Sequence, residues 1–188
     1  MALKEELEYY GTSCFVAHED IAPSRVWLKE INRSIKECDA LVALLTPDFH
    51  QSLWTDQEIG IALGRKKPVI PVSLGTIPYG FMGDIQALKG DLNHPRELAE
   101  AIVRVLLEHD VTCASMQQAL VDAHYNASSF MTSRRTSKVL SSLDEITQEQ
   151  YDLLYDANEG NDQVYDAGGV YDSMEEFLEN VEIVEVEE

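Results

Sequence analysis

The chain has 188 residues, 34 acidic and 14 basic side chains, a formal net charge of −20 and an apolar share of 45%. That length suits one full domain with an appendage, or two small domains, and the apolar share supports a packed core. The acidity argues against nucleic acid or an anionic membrane as a partner, because phosphate would be repelled; no apolar run approaches a membrane span, and Met1–Glu6 carries no signal-peptide core.

The charge is unevenly spread. Residues 1–110 hold 17 acids and 11 bases, net −6, whereas residues 111–188 hold 17 acids and 3 bases, net −14. No Lys or Arg follows Lys138. This break predicts a domain at 1–110 and an acidic, mainly helical extension at 111–188. Cys14, Cys38 and Cys113 have neither metal-ligand spacing nor an even disulfide set. They read as buried small hydrophobes in a reducing, cytoplasmic compartment, with no metal site.

Leu3 and Leu7 lie four apart among charged residues, which predicts a helix over 2–10 ended by Gly11. Ser13–Ala17 reads as a short strand, and His18–Arg25 as a polar loop. A helix is expected from about Ser24 to Glu37, with Leu28, Ile31, Ile35 and Cys38 on one face. Ala40–Leu45 is continuously apolar, as suits a strand covered on both faces. Thr46-Pro47 stops it, and a helix near Ser52 runs to about Arg65. Val69–Leu74 is a second buried strand. Turn formers fill 75–83, and Ala87–Leu88 is a short edge strand. Asn93, with Pro95 just inside, opens a helix facing inward through Leu98, Ala101, Ile102, Val105 and Leu106.

Beyond residue 110, Ser115–Phe130 reads as an amphipathic helix with Met116, Leu120, Ala123 and Ala127 on one side. Ser128–Ser142 is rich in Ser, Thr and Arg and reads as a mobile loop, with Arg134-Arg135-Thr136-Ser137 either an exposed basic stretch or a kinase-like site. Thr147-Gln148-Glu149-Gln150 opens a helix carrying Tyr151, Leu154, Tyr155 and Asn158. Met174–Val181 is a further helix, and the alternating tail is an edge strand or disordered.

Strands alternating with helices predict an α/β fold with a parallel, doubly wound sheet. Within it, Trp54 and Glu58 lie four apart on one helix face, after a buried strand. Such a place often holds a ligand, but a core tryptophan beside a solvated glutamate fits the spacing equally. His50 reads as a surface histidine or a ligand contact.

Three blocks in order carry a resemblance. Ser52-Leu53-Trp54-Thr55-Asp56-Gln57-Glu58 resembles the Ser-x-Trp-x-x-x-Glu segment of Toll/interleukin receptor (TIR) domains. Gly11–Ser24 resembles that family's second strand and following loop, and Lys67–Val72 its fourth strand. The likeness covers roughly residues 1–110 and is nearest to bacterial members. It implies a flavodoxin-like parallel sheet flanked by helices. In the family's order the first strand is central, and this chain starts inside what the family would call its first helix. The flanking strands would then pair directly, or take a strand from another chain, or the sequence is a truncated product.

Many members of that family cleave nicotinamide from NAD through an oxocarbenium-like transition state, which a carboxylate stabilises. The resemblance makes Glu58 that carboxylate. It makes Trp54, Ser52, His18 and Asp20 substrate contacts, with Trp54 packed under Glu58 and Ser52 at the helix start. NAD is then substrate and no cofactor is needed; the products are nicotinamide and ADP-ribose or a cyclic isomer, in signalling or defence. The alternative is a non-catalytic module that assembles with other copies through the His18–Arg25 loop. A third reading is an enzyme like the nucleoside 2-deoxyribosyltransferases, with glutamate as nucleophile.

Overall fold

The computed structural model of the protein describes residues 2–16, 20, 27–52 and 54–185, with Trp27 as backbone alone. The chain divides into two units, one of residues 14–112 and one joining residues 1–13 to 113–188.

Helix α1 (Ala2–Glu8) belongs to the second of these and buries Leu3 and Leu7, the pair four apart. It ends in a turn at Gly11, whose φ of +78° suits glycine. An added Cβ there would lie 2.3 Å from the Ala119 carbonyl oxygen, so the turn closes against its neighbour only without a side chain.

The 14–112 unit is α/β. Helix α2 (Trp27–Glu37) turns Ile31 and Ile35 inward. Strand β1 (Leu41–Leu45), helix α3 (Thr55–Gly64), strand β2 (Val69–Ser73), the two-residue strand β3 (Leu88–Lys89) and helix α4 (Pro95–Glu108) follow. The sheet order is β1-β2-β3, all parallel, with Leu41 opposite Val69, Leu45 opposite Ser73 and Val72 opposite Leu88. Ala40–Leu45 and Val69–Leu74 are therefore adjacent parallel strands, as their continuous apolar runs predict. Alternation along the strands sorts the core. Ala43, Leu45 and Val69 face one way, packed with Ile31, Ile35, Ile59, Ala62 and Met82. On the other face Val72 meets Gly90, just after β3, where an added Cβ would lie 2.5 Å from Val72 and 3.3 Å from Leu98 of α4.

Pro71 sits inside the middle strand although it cannot donate to a ladder. Ser73 presents its carbonyl to Gly90, so residues of that parity point toward β3. The missing donor of Pro71 thus faces β3, which pairs only with Val72 and Ser73. The brevity of β3 is what makes this proline tolerable.

The other unit is helical around a small parallel sheet. It comprises α1, α5 (Cys113–Tyr125), α6 (Phe130–Leu140), β4 (Glu145–Thr147), α7 (Gln148–Gly160), α8 (Asp162–Tyr165), α9 (Val170–Asn180) and β5 (Glu182–Val184). Strands β4 and β5 pair in parallel, Ile146 opposite Ile183. Thr147 and Gln150 form a capping box at the start of α7. The core holds Leu120, Leu140, Ile146, Leu154 and Met174, all fully enclosed.

Five sequence expectations change. Residues 13–16 form no strand, and Ala17 lies outside the described residues. Their expected neighbour is the family's first strand; no such strand occurs among the described residues, and a short unpaired segment has no ladder to hold it extended. Ser128–Ser142 is not a loop: it becomes helix α6, with Ser133, Arg135, Thr136 and Ser137 buried. Its buried hydroxyls are satisfied internally, while Arg135 Nε stays without a hydrogen-bond partner. Thr136 Oγ1 donates to the Thr132 carbonyl at 2.9 Å and contacts His124 Nδ1 at 2.8 Å, and Ser133 Oγ donates to the Gln163 carbonyl at 2.5 Å. Arg135 forms an ion pair with Glu6 and lies 4.3 Å from the Tyr9 ring centre. Helix α4 is capped by His94 rather than Asn93, and its buried face is Leu98, Ala99, Ile102 and Val103. Finally, Leu28 is exposed on α2, and all three cysteines are half-buried rather than buried.

Candidate functional site

Strand β1 ends at Leu45, where Thr46-Pro47 turns the chain away. A single 3₁₀ turn, Phe49–Gln51, leads to Trp54, the N-cap of α3. The loop after β2 is bonded to this exit. Leu74 N–H donates to the Leu45 carbonyl at 3.1 Å, and Thr76 Oγ1 to the Thr46 carbonyl at 3.0 Å. Further out, Tyr79 Oη donates to Asp56 Oδ1 at 2.8 Å and the Tyr79 ring meets Phe49 edge-on at 6.5 Å. Two loops at the carboxyl ends of adjacent parallel strands are thereby fastened into one rim. That is where open α/β sheets place ligands.

Glu58 stands in the first turn of α3, beside this rim. Its backbone N–H donates to the Trp54 carbonyl at 2.9 Å, which begins the helix and stacks the two residues a turn apart. The Glu58 carboxylate is half-buried and has no hydrogen bond or ion pair with any described residue. Burial pushes its pKa up. The positive end of α3 works the other way and favours the ionised form. A partly desolvated carboxylate without a partner is an anion whose field is available to an incoming cation.

Trp54 is not the core anchor that packing under Glu58 would require. It is 44% exposed, because it precedes the helix as N-cap instead of lying within it. Ser52 is exposed and its Oγ accepts from Trp54 N–H at 3.3 Å, so it closes a local turn two residues ahead of the helix cap. Asp20 is tied to its own neighbourhood, Oδ2 accepting from Val16 N–H at 2.6 Å. His18, and with it most of the His18–Arg25 loop, lies outside the described residues. Ser52, Trp54 and Glu58 therefore share one segment, while Asp20 comes from another. His50 is exposed on the 3₁₀ turn.

Asp56 and Tyr79 escaped sequence reasoning. No spacing joins residues 23 apart, although the loops after adjacent parallel strands must meet at one sheet end. Burial, then the bond to Asp56, raises the Tyr79 pKa. The same loops expose Ile77 and Phe81, the latter 81% accessible.

No group of three or more His, Cys, Asp or Glu is placed to hold a metal among the described residues, and no helix there is long and apolar enough to cross a membrane. A family model described as TIR domain matches residues 2–107. No curated protein and no solved structure matches the chain.

Proposed function

Because the chain belongs to the TIR domain family across residues 2–107, we propose that it cleaves the N-glycosidic bond of NAD, with Glu58 as the carboxylate that stabilises the transition state. The bond between the nicotinamide nitrogen and the ribose breaks, and its electron pair neutralises the pyridinium ring. Positive charge then develops on the ribose carbon and ring oxygen. A fixed anion lowers the energy of that charge, and water adds to the carbon and loses a proton to solvent. Attack by another group of the same molecule would instead yield a cyclic isomer.

The observation that carries this reading is the half-buried Glu58 carboxylate with no partner among the described residues, at the carboxyl end of β1. Its desolvation strengthens attraction to a developing cation and costs stability that a purely structural residue would not retain. The exposed indole of Trp54 offers a surface for a substrate ring, and Ser52, Asp20 and His18 are the loop contacts of this reading.

A second reading is a non-catalytic module that assembles with further copies. What favours it is the exposure of Trp54, Ile77 and Phe81 on neighbouring loops, and pairing of β1 on one side alone among the described residues.

One experiment separates them. The purified chain is incubated with NAD over a wide range of protein concentration, and nicotinamide release is followed for the wild type and Glu58→Gln. Release that falls on the order of 100-fold in the variant supports the enzyme. Release unchanged in Glu58→Gln refutes the assignment of the carboxylate. No release from either, with self-association lost in Phe81→Ser, favours assembly.

A further inference from the structure

Residues 14–112 form a solvent-open cavity of about 410 Å³ at the end of the sheet opposite Glu58. It lies where α3 and α4 end and where β2 and β3 begin. Leu63, Ile85, Leu88 and Val105 supply apolar wall, and Lys66, Lys67, Gln86 and His109 supply the polar edge. Its size falls within the roughly 300–1,000 Å³ of ordinary small-molecule sites.

Two features set this recess apart. Arg65-Lys66-Lys67 is the longest run of basic residues in a chain of net charge −20. Neither lysine forms an ion pair with a described residue. Lys66 also has φ +58°, the one non-glycine residue with positive φ among those described. It occupies the left-handed position that closes α3: Lys66 N–H donates to the Leu63 carbonyl and Lys67 N–H to the Ala62 carbonyl, both at 2.9 Å. Glycine makes this turn without strain, and strained backbone is retained where a side chain is wanted. Complementing the helix carbonyls accounts for basic residues here. It accounts neither for a lysine at the strained position nor for the apolar recess beside it.

We propose that this cavity is a second binding site, separate from the Glu58 rim, for a small amphipathic anion: an apolar ring or short acyl body in the recess, with one carboxylate, sulfonate or phosphate head at Lys66 and Lys67.

The test uses two fluorescent probes with the same ring body. 1-Anilinonaphthalene-8-sulfonate carries the anionic head and N-phenyl-1-naphthylamine does not. Titrated into the full chain, the sulfonate binds at least about tenfold tighter than the neutral amine, and salt at about 0.5 M removes most of that difference. Lys66→Gly, which relieves the backbone, keeps or raises Tm and weakens the sulfonate several-fold; Lys67→Gln does the same to binding, and neither changes the amine. Val105→Trp fills the recess and abolishes both, with Gln86→Trp as a second plug should the first lose its circular dichroism. Equal affinity for the two probes, sulfonate binding indifferent to both lysine changes, or binding that survives a folded plug variant overturns the proposal.

Discussion

Arg135→Met probes the burial that the sequence conceals. The side chains of Arg135 and Glu6 are 6% and 20% exposed, and the guanidinium also stacks on Tyr9. Removing the arginine leaves a mostly buried carboxylate with its countercharge gone. Breaking such a pair from one side costs about 3–5 kcal/mol. Lost stacking adds about 1 kcal/mol, and the apolar methionine recovers part of the packing. The net expectation is about 3 kcal/mol by urea denaturation followed by circular dichroism. In a unit of this size that lowers Tm by more than roughly 10 °C. Replacing both partners, as in Arg135→Met with Glu6→Leu, removes the stranded charge and restores most of the loss. A cost under about 1 kcal/mol for Arg135→Met alone, the value of an exposed basic residue, would refute the buried pair.

Three further outcomes are expected. Burial holds the His124 pKa down to about 4, so the folded state binds the proton later than the unfolded chain. Stability present above pH ~6.5 is lost as pH falls toward 4, by about 3 kcal/mol; His124→Gln flattens that limb in urea titrations at pH 7 and 4.5. Trp54→Ala, at a 44% exposed site, costs roughly 1 kcal/mol or less, whereas Ile70→Ala, 4% exposed in the middle strand, costs about 2–5 kcal/mol in the same denaturation assay. Hydrogen exchange across 130–140 is slow, as in a packed helix, and fast exchange there would contradict α6.

What the sequence disclosed depended on whether the partners of each residue were local. Ala40–Leu45 and Val69–Leu74 are apolar throughout and announce buried parallel strands without outside information. Thr147 and Gln150 satisfy each other within one turn, so their cap is legible. The resemblance of its segment marks Glu58, while its lack of a partner among the described residues is a property of the fold alone. The polar stretch 128–142 misled because its satisfaction is remote: Arg135 finds Glu6 at a separation of 129 residues, and Ser133 finds Gln163 thirty residues on. Trp54 misled by one position, since a residue that caps a helix is not on the face the helix buries.

The assignment of α1 to the unit completed by residues 113–188 bears on how the chain is made. Helix α1 leaves the ribosome well before its partners, α5 and α6, which are encoded more than a hundred residues later. At about 5–20 residues per second that is a wait of roughly 5–20 s. Residues 14–112 contain their own sheet and core, and can close during that interval. Meanwhile Leu3, Leu7 and Tyr10, all buried in the finished protein, stay exposed. An isolated seven-residue helix does not hold together in water, so α1 forms when it docks. The apolar side chains of residues 2–10 thus stay uncovered until α5 and α6 emerge, and slowing synthesis within 14–112 lengthens that exposure without touching the stability of the completed fold.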